Sequence, residues 1–393
     1  MRINEPFMST LLHSEAVKKS VPISGSFELT SKCNFNCPMC YVHGCEAKSE
    51  LHADEWLSVA EDAKKDGMLF LLLTGGEPLL HPDFDYIYSS LSKKGFVISI
   101  NTNGSLVKNR IELFKKYPPS RVNLSLYGAD AESYKSFCGG CFSDVCEGIE
   151  MLKKIGVNVV LNSVFTAKNS EYAADIVRFA NQNGLHLNST AYCYPQIRLN
   201  GKTGENTARL SPFDAASCNI AAEKLKFSPE EFERKTKKLL LSESDTSLSA
   251  HEFERVRCRA GRCSFWITSD GKMRPCGMMT VPETEPLNVG FTAAWQELRK
   301  KTDAIRLPHE CAVCSYRRIC PVCAAMCLSE TGRFDRKPQY VCDYFNCMRS
   351  IAAAETAQDN GDGASVDKLT DGMILISSVR NNGNFKLSVD CRV

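Results

Sequence analysis

Apolar runs alternate with amphipathic helical stretches along the first half of the chain. The runs are short and rich in β-branched or large apolar residues, which is typical of strands, and the stretches between them carry apolar residues at helical spacing. Strands that alternate with helices in this way indicate a parallel α/β sheet. The predicted strands cover residues 26–30, 68–75, 97–104, 121–128, 157–166 and 185–194, and the predicted helices lie near 54–65, 83–94, 108–117, 144–155 and 170–183.

Six strand and helix units predict a partial (β/α)6 TIM-like barrel, because a closed parallel barrel has eight. Three of the predicted strands end in the turns "TGGEP", "NTNG" and "LYGA". Parallel barrels carry their chemistry where strands give way to the following loops. We therefore expect the three turns to converge on one face.

The remainder of the 393 residues divides by composition. A polar, helical stretch leads to a cysteine-rich region, and an Ala-, Asp- and Gly-rich segment then precedes a last apolar stretch that can form a hairpin at Asn-Gly. The predicted organisation is an N-terminal segment (1–24), the barrel (25–200), a helical linker (201–255), a small cysteine-rich domain (256–350) and a linker with a C-terminal tail (351–393).

The charge balance excludes several partner classes. The 48 Lys and Arg nearly cancel the 46 Asp and Glu, so no global field attracts nucleic acid or an anionic membrane. The first 25 residues have no basic segment followed by an apolar core and a small-residue cleavage site, which argues against a secretory signal. The longest apolar run, "MLFLLL" at 68–73, is too short to cross a bilayer. We expect a cytoplasmic protein without nucleic-acid or membrane partners.

The 20 cysteines form two groups, three between 33 and 40 and ten between 258 and 347. In a reducing cytosol, thiols at this density are metal ligands more often than disulfides. The first group, Cys33, Cys37 and Cys40, lacks the fourth thiolate of a closed tetrahedral zinc site. It fits either a 4Fe-4S cube with one open iron or a zinc knuckle completed by His43 or Cys45.

The pattern CxxxCxxC after a first strand, followed by "TGGEP" at 74–78, resembles that of the radical S-adenosylmethionine (SAM) enzymes. The resemblance implies a 4Fe-4S cluster whose open iron chelates SAM. It also implies that a reductant such as flavodoxin or ferredoxin supplies one electron, and that the 5'-deoxyadenosyl radical formed from SAM removes hydrogen from an unactivated carbon.

The resemblance assigns SAM contacts by position. Backbone groups of the "TGGEP" turn would meet the methionyl amino group, and residues at the ends of the third and fourth strands would face the ribose or carboxylate. The residue before the third cysteine, usually an aromatic that contacts adenine, is here a methionine. The implied SAM-binding residues are Met39, Gly75, Gly76, Glu77, Asn103 and Ser125.

The second cysteine group resembles the SPASM domain that follows many radical SAM barrels. Cys258, twelve residues, Gly271, four residues and Cys276 precede a CxxCxxxxxC unit and a final cysteine. The resemblance implies two auxiliary 4Fe-4S clusters, for three in all, although thiolate ligands alone leave zinc open. The first would use Cys258, Cys263, Cys276 and Cys323, the second Cys311, Cys314, Cys320 and Cys342, with Cys327 as an alternate for Cys323 and Cys347 for Cys342.

SPASM-bearing enzymes mostly modify peptides or proteins, so the resemblance favours a maturase of a ribosomally made peptide, in an anaerobic bacterium. It would form a thioether or a carbon crosslink, or epimerise a residue. Three alternatives stay open: an anaerobic sulfatase-maturating enzyme, a radical SAM enzyme acting on a small molecule, and a non-enzymatic metal-binding or electron-transfer protein. The sulfatase reading expects an Asp where this chain has Gly277.

Candidate catalytic residues follow the sixth predicted strand. Cys193 stands at its end as a possible hydrogen donor, and Arg198, just beyond, can bind a carboxylate bidentately. The loop "FCGGCFSDVC" adds Cys138, Cys141 and Cys146 as further thiols. Packing is the competing explanation for each cysteine, since free Cys is commonly buried.

Overall fold

The computed structural model describes residues 7–42, 49–195, 208–241, 250–359, 375–381 and 384–390. Within these ranges, contacts divide the chain into two compact units, Met1–Ala353 and Ala354–Val393. None of the described helices is both long enough and apolar enough to cross a membrane. The predicted domain boundaries inside the first unit stay predictions.

Six parallel strands form the centre of the first unit, which confirms the predicted α/β class. They pair in chain order, each beside the next. The strands are β1 (Ser24–Glu28), β2 (Phe70–Thr74), β3 (Val97–Thr102), β4 (Arg121–Ser125), β5 (Val159–Val164) and β6 (His186–Thr190).

The helices between these strands confirm the predicted alternation, with two additions. One addition precedes β1, and the other follows β4 in a stretch for which no helix was predicted. In chain order the helices are α1 (Phe7–Lys19), α2 (Ala53–Lys65), α3 (Phe84–Lys93), α4 (Ile111–Lys116), α5 (Ala131–Cys138), α6 (Phe142–Lys154) and α7 (Ala173–Gln182).

The cysteine-rich region continues the barrel sheet, which the sequence did not predict. Strand β7 (Ser264–Ile267) pairs in parallel with β1, and β8 (Met273–Arg274) pairs antiparallel with β7. The sheet therefore has eight strands in the order β6-β5-β4-β3-β2-β1-β7-β8. This pairing places the cysteine-rich region directly beside the strand that leads to the first cysteine group.

Further helices surround this extended sheet. The described part of the predicted linker is helical, and two of its helices start at Ser caps followed by Pro, a strong helix-start signal. The helices are α8 (Pro212–Lys226), α9 (Pro229–Leu240), α10 (Ala250–Phe253), α11 (Pro286–Val289), α12 (Phe291–Asp303), α13 (His309–Ala312), α14 (Ala324–Thr331) and α15 (Gln339–Asp359).

The main core lies between the sheet and the helices on its outer face. The Phe27 ring on β1 packs 4.9 Å from that of Trp56 on α2, and both side chains are fully buried. Phe84 and Tyr88 of α3 stack at 5.6 Å. Because alternate residues of a strand face opposite sides, burial of this face leaves polar side chains such as Asn123 on the inner one.

The carboxyl ends of the strands meet at one edge, as parallel pairing requires. Glu28 at the end of β1 lies opposite Thr74, and Ser125 at the end of β4 lies opposite Asn162. The turns that follow β1, β2, β3 and β4 therefore share this edge. The predicted convergence of the three turns follows from the parallel pairing of these strands.

The second unit contains an antiparallel hairpin of β9 (Leu375–Asn381) and β10 (Asn384–Asp390). This agrees with the hairpin predicted around Asn-Gly, whose turn lies outside the described residues.

Candidate active site and cysteine-lined centres

The three cysteines of the first group lie in the loop after β1. Cys33 is exposed, whereas Cys37 and Cys40 are partly buried. The backbone N–H of Phe35 donates to the Cys33 sulfur at 3.4 Å, and that of Cys40 donates to the Cys37 carbonyl at 3.2 Å. These local bonds fold the loop into consecutive turns.

The thiols of this loop act on one another electrostatically. Burial raises the pKa of Cys33, and the charges of Glu77 and Cys40 raise it further. The pKa of Cys37 is raised first by a hydrogen bond with Cys138, then by burial and by the neighbouring thiols. Thiols this close together become thiolates most readily when a metal neutralises them, and thiolates ligate iron-sulfur clusters.

The donor set of this loop fits an iron-sulfur cluster with one open iron. Among the described residues, no three His, Cys, Asp or Glu side chains form a preassembled metal site, so the ligand assignment stays a prediction. The alternative zinc ligands His43 and Cys45 lie outside the described residues.

The "TGGEP" turn packs its backbone against the segment between β1 and the cysteine loop. The Gly76 N–H donates to the Thr30 carbonyl at 2.8 Å, and the Glu77 N–H donates to the Lys32 carbonyl at 2.9 Å. A Cβ on Gly75 would lie 2.4 Å from the Thr30 oxygen, and one on Gly76 would lie 2.4 Å from the Lys32 oxygen. Both glycines are therefore required for close backbone approach.

The side chain of Glu77 fastens this turn to the end of β3. It is fully buried and accepts hydrogen bonds from Thr102 Oγ1 at 2.8 Å, the Asn103 N–H at 2.7 Å and the Leu79 N–H at 3.1 Å. Burial raises the pKa of Glu77 and these hydrogen bonds lower it in part, so that the pKa lies at about 7. The sequence resemblance assigned only the backbone of Glu77, so this carboxylate is an additional positioning group.

Asn103 stands beside the cysteine loop, and its predicted contact with SAM stays a prediction. Its Nδ2 donates to Asn34 Oδ1 at 2.8 Å and lies 3.9 Å from the Cys33 sulfur, while its Oδ1 accepts from the Ser105 hydroxyl at 2.7 Å. Asn34 Nδ2 closes the network on Ser105 Oγ at 3.0 Å. The sequence reasoning missed Asn34 and Ser105, although the position of Asn34 directly after Cys33 was a signal.

The other two predicted SAM contacts are Ser125 and Met39. Ser125 ends β4 at the carboxyl edge, where its carbonyl accepts from the Tyr134 hydroxyl at 3.3 Å. Met39 is partly buried and packs against the main core. Their contacts with SAM stay predictions.

The second predicted auxiliary group lines one cavity. Cys311, Cys314, Cys320 and Cys342 all face a cavity of about 110 Å³. Burial, followed by the charges of the neighbouring thiols, raises the pKa of Cys311 and of Cys320 to about 11 each. Four mutually interacting thiols around one cavity suit a cluster or a zinc ion, because a bound metal removes the cost of gathering the charges.

Three members of the first predicted auxiliary group surround Tyr194. The Tyr194 hydroxyl lies 4.0 Å from the Cys323 sulfur. Burial raises the pKa of Tyr194, and the charges of Cys323, Cys276 and Cys258 raise it further. The structure thus brings together side chains that are up to 65 positions apart, from Cys258 to Cys323.

The fourth predicted member, Cys263, packs elsewhere. It is fully buried in a small cluster with Ala16 and Ile23, and its carbonyl accepts from the Ser24 N–H at 3.2 Å. Cys276, in contrast, packs against the cluster that contains Cys327. The ligand assignment of Cys263 stays a prediction that its packing does not favour.

The two alternate ligands occupy different environments. Cys327 is fully buried on α14, and burial raises the pKa of its thiol. The charges of nearby thiols from both auxiliary groups raise this pKa further. Cys347 is buried in the main core on α15. Cys327 is therefore near both predicted centres, whereas Cys347 packs as a core residue.

Of the candidate catalytic residues, Cys193 is described and Arg198 lies outside the described residues. Cys193 is 3% exposed, and its thiol donates to the Tyr194 carbonyl at 3.7 Å. This places Cys193 next to the tyrosine that contacts Cys323. A catalytic function for either residue stays a prediction.

The loop thiols differ in their surroundings. Cys138, at the end of α5, donates to the Tyr134 carbonyl at 3.1 Å and is hydrogen-bonded to Cys37. Its carbonyl also accepts from the Asn36 N–H at 2.9 Å. Cys141 is exposed at the start of α6. Cys138 therefore buttresses the first cysteine loop, which its position in the sequence did not indicate.

An indole fills the space beside Gly277. A Cβ on Gly277 would lie 3.0 Å from the Trp266 ring, whose Nε1 donates to the buried carboxylate of Glu28 at 3.0 Å. The Tyr41 ring meets the same indole edge-on at 6.4 Å. Trp266 and Glu28 are 238 positions apart, so their contact depends on the unpredicted β1–β7 pairing.

A buried ion pair ties the end of β6 to the cysteine-rich region. Arg209 Nη1 donates to Glu330 Oε2 at 3.1 Å, and the Tyr192 hydroxyl donates to Glu330 Oε1 at 2.7 Å. The guanidinium also lies 3.3 Å from the centre of the Tyr340 ring. This network holds the Tyr192 ring against Tyr194 at 4.9 Å, and the sequence gave no signal of it.

The comparison with protein families matches residues 27–180 to the radical SAM superfamily. This range covers β1 to α7, with the first cysteine loop and the "TGGEP" turn.

Two curated relatives match the chain over larger parts of its length. The AdoMet-dependent heme synthase of Methanosarcina barkeri is 27% identical over 80% of this chain and 95% of that protein. The antilisterial bacteriocin subtilosin biosynthesis protein AlbA of Bacillus subtilis is 28% identical over 70% of this chain and 59% of that protein. The chain spans about half the length of several archaeal probable GTP 3',8-cyclases that it also matches.

Two solved structures share the fold. Streptococcus suis SuiB bound to the precursor peptide SuiA superposes with a TM-score of 0.64 at 19% identity, covering 87% of this chain and 82% of that one. Native anSMEcpe with bound AdoMet and the Cp18Cys peptide gives 0.65 at 20% identity, covering 87% and 99%. Residues 27–180 therefore form a radical SAM domain, and the predicted resemblance to the radical SAM enzymes is confirmed.

Proposed function

We propose that the chain is a radical SAM peptide maturase. It uses the 5'-deoxyadenosyl radical to take a hydrogen atom from a ribosomally made peptide, and the product carries a thioether, a carbon crosslink or an epimerised residue. The observation that carries the proposal is the thiol-lined cavity of Cys311, Cys314, Cys320 and Cys342 in the same compact unit as the three-cysteine loop. The relationship to AlbA, a bacteriocin biosynthesis protein, supports a peptide substrate.

Different residues of the first site would bind the cluster and SAM. Cys33, Cys37 and Cys40 would ligate a 4Fe-4S cluster, which supplies the electron that cleaves SAM when it is reduced. Gly75 and Gly76 bring the turn backbone close to the segment before the cysteine loop. The N–H groups of Gly76 and Glu77 donate to carbonyls of that segment, so carbonyl oxygens of the turn are suited to accept from the methionyl ammonium.

Asn103 and Glu77 fix the geometry of this site. The Asn103 amide bridges the cysteine loop to the end of β3, and the Glu77 carboxylate anchors the turn after β2 to the same strand end. Met39 and Ser125 would complete the adenosine pocket. Groups fixed by such surrounding bonds position a bound ligand without a further loss of entropy.

Two auxiliary 4Fe-4S centres are part of the proposal. The cavity of Cys311 would hold one, and the group around Tyr194 would hold the other, with Cys258, Cys276 and Cys323 as ligands. Centres of this kind accept the electron left after a new bond forms, or bind and deprotonate a substrate thiol. Flavodoxin or ferredoxin would serve as the reductant, in an oxygen-free cytoplasm.

A tetrapyrrole substrate is the second candidate, because the match to the heme synthase covers 95% of that protein. This candidate keeps the same SAM site and changes only the substrate. Formation of formylglycine in a sulfatase is disfavoured by Gly277, since even a Cβ there would press on the Trp266 ring at 3.0 Å. An aspartate base at this position would require the indole to move.

Anaerobic incubation of the reconstituted, reduced enzyme with SAM tests the proposal. We expect 5'-deoxyadenosine from the wild type and none from Cys37→Ala. Peptides encoded beside the gene are then supplied in one arm, and porphyrin precursors of heme in the other. Loss of two hydrogens from a peptide, or a D-residue, supports the maturase, whereas conversion of the porphyrin alone would replace it with the second candidate.

A further inference from the structure

We propose that arginines beside the second auxiliary centre form a docking surface for an acidic one-electron carrier protein of the flavodoxin or ferredoxin class. We name this surface the arginine surface and define it as Arg255, Arg257, Arg317 and Arg318. The inference rests on the proposed function, because the iron-sulfur centre at this place is part of that proposal.

Two separate segments of the chain bring Arg257, Arg317 and Arg318 together, and Arg255 lies two positions before Arg257. The guanidinium carbons of Arg257, Arg317 and Arg318 lie 4.5, 4.6 and 5.9 Å from the centre of the buried Phe253 ring. Arg257 Nη2 also donates to the Arg317 carbonyl at 3.2 Å. Cation–π contacts with one shared ring hold like charges close together.

Positive charge is concentrated in this region of the chain. The whole chain carries a formal net charge of only +2, and Arg255, Arg257 and Arg318 are exposed. One of the acidic neighbours, Glu254, is bound to His309 Nδ1 at 2.6 Å. Across 252–262 and 309–318 the arginines are Arg255, Arg257, Arg259, Arg262, Arg317 and Arg318, and the acidic residues are Glu252, Glu254 and Glu310.

The arginine surface borders the predicted second auxiliary centre. Arg317 and Lys337 line the same cavity as Cys320. The charge of Cys320 acts on Arg257, as does that of Cys258 from the first auxiliary group. A protein docked on these arginines therefore lies next to thiols of the second group.

An acidic electron carrier suits this surface in charge and in chemistry. Flavodoxins and ferredoxins are acidic, and complementary charge steers association and raises its rate. In the transfer the carrier loses one electron and the iron-sulfur centre gains it, with no bond made or broken. The position of the arginines at a thiol-lined cavity favours a carrier over an acidic peptide substrate.

The double variant Arg255→Gln/Arg318→Gln tests this surface in the reconstituted holoenzyme, because neither residue lines the cavity. Stopped-flow mixing with reduced flavodoxin follows the loss of iron-sulfur absorbance. We expect reduction to be about tenfold slower in the variant at low ionic strength. High salt should slow the wild type to a similar rate. Reduction by dithionite should be unchanged, since this small reductant needs no docking.

A matched variant, Lys65→Gln/Lys115→Gln, removes two exposed charges from α2 and α4 and should keep the wild-type rate. Equal carrier-driven rates in the wild type and the arginine variant would overturn the inference. So would weaker binding of an acidic peptide with unchanged reduction by flavodoxin. Iron and sulfide analysis is done first, and absence of auxiliary iron would instead refute the proposed function.

Discussion

The Glu77 carboxylate accepts a hydrogen bond from the backbone N–H of Asn103 at 2.7 Å. This bond joins the turn after β2 to the end of β3, and Asn103 in turn contacts the first cysteine loop through Asn34. Three neighbouring segments at the carboxyl edge thus depend on one buried carboxylate. Its protonation and its contacts give a first prediction.

Replacement of Glu77 by Gln should change how stability depends on pH. The pKa of Glu77 in the folded protein is raised from 4.5 to about 7. Its protonation therefore stabilises the fold most below pH 4.5, and this contribution is lost as the pH rises through 7. The change is about 3 kcal/mol, because a pKa that rises from 4.5 to about 7 on folding corresponds to roughly this free energy.

Urea denaturation at pH 5 and pH 8 measures the effect. The free energy of unfolding of the wild type, relative to Glu77→Gln, should fall between these values. The exposed Glu61, which pairs with Lys94, provides the control, because Glu61→Gln should show little change relative to the wild type across this range. A constant difference between wild type and Glu77→Gln would contradict the assigned pKa.

Gly76→Ala should destabilise the site by steric contact. The new methyl group would lie 2.4 Å from the Lys32 carbonyl oxygen, and overpacking of this kind costs about 3 kcal/mol. Gly95→Ala is the matched control, since nothing lies within 4 Å of its Cβ position and only its φ of +82° opposes the change. We expect a cost of about 1 kcal/mol there.

Thermal unfolding and SAM binding of both glycine variants decide the point. Gly76→Ala should lower the melting temperature more and bind SAM weakly, while Gly95→Ala should bind SAM normally. Equal effects of the two substitutions would show that the close approach of the turn to the loop is not important.

Gly277→Ala should press on the Trp266 ring, which lies 3.0 Å from the new Cβ. We expect a loss of about 1 kcal/mol. Trp266→Phe makes room but removes the Nε1 donor to Glu28, at a cost of about 2 kcal/mol. The double variant should therefore be less destabilised than the sum of the two single variants.

A double-mutant cycle by urea denaturation measures this coupling. We expect an interaction energy of about 1 kcal/mol in the direction of relief. Additive effects would mean that Gly277 does not depend on the indole, and the steric argument against an aspartate at this position would fail.

The fold was predictable from the sequence because its signals are local. Short apolar runs and helical patterns located the six barrel strands, and the resemblance carried by Cys33, Cys37, Cys40 and "TGGEP" predicted the SAM site. The pairing of β7 with β1 was not predictable, since it joins residues about 240 positions apart through backbone bonds that leave no pattern. Trp266 and Glu28 were missed for the same reason.

The auxiliary groups show a similar limit. The resemblance to the SPASM domain implied a group of four cysteines, and these do line one cavity, because the CxxC units fix most of them locally. It did not reveal that Cys263 packs with α1, or that Arg209 and Glu330 form an ion pair behind Tyr192. These arrangements depend on long-range packing, which a motif does not encode.

Cys320→Ser should remove one auxiliary cluster. Its thiol lines the cavity of the second group, so the substitution should lower the iron and sulfide content by about four atoms each per chain, as for one 4Fe-4S cube. Cys218→Ser is the control, because burial alone raises the pKa of that thiol to about 11 and no neighbouring thiol contributes. Zinc without sulfide in the wild type would contradict the cluster assignment.

Cys323 and Cys327 compete for the first auxiliary centre, and the structure favours Cys323. Tyr194 lies 4.0 Å from the Cys323 sulfur and also feels the charges of Cys276 and Cys258. Cys327 is fully buried on α14, near thiols of both predicted groups. Cys323→Ser should therefore lose about four irons per chain, whereas Cys327→Ser should keep them and lose only stability.

Both serine variants are best compared in a background without the SAM-site cluster, in which Cys33, Cys37 and Cys40 are replaced by Ala. Electron paramagnetic resonance then reports the auxiliary centres alone. Two reduced signals in Cys327→Ser and one in Cys323→Ser would support Cys323 as the ligand. The reverse pattern would assign the centre to Cys327.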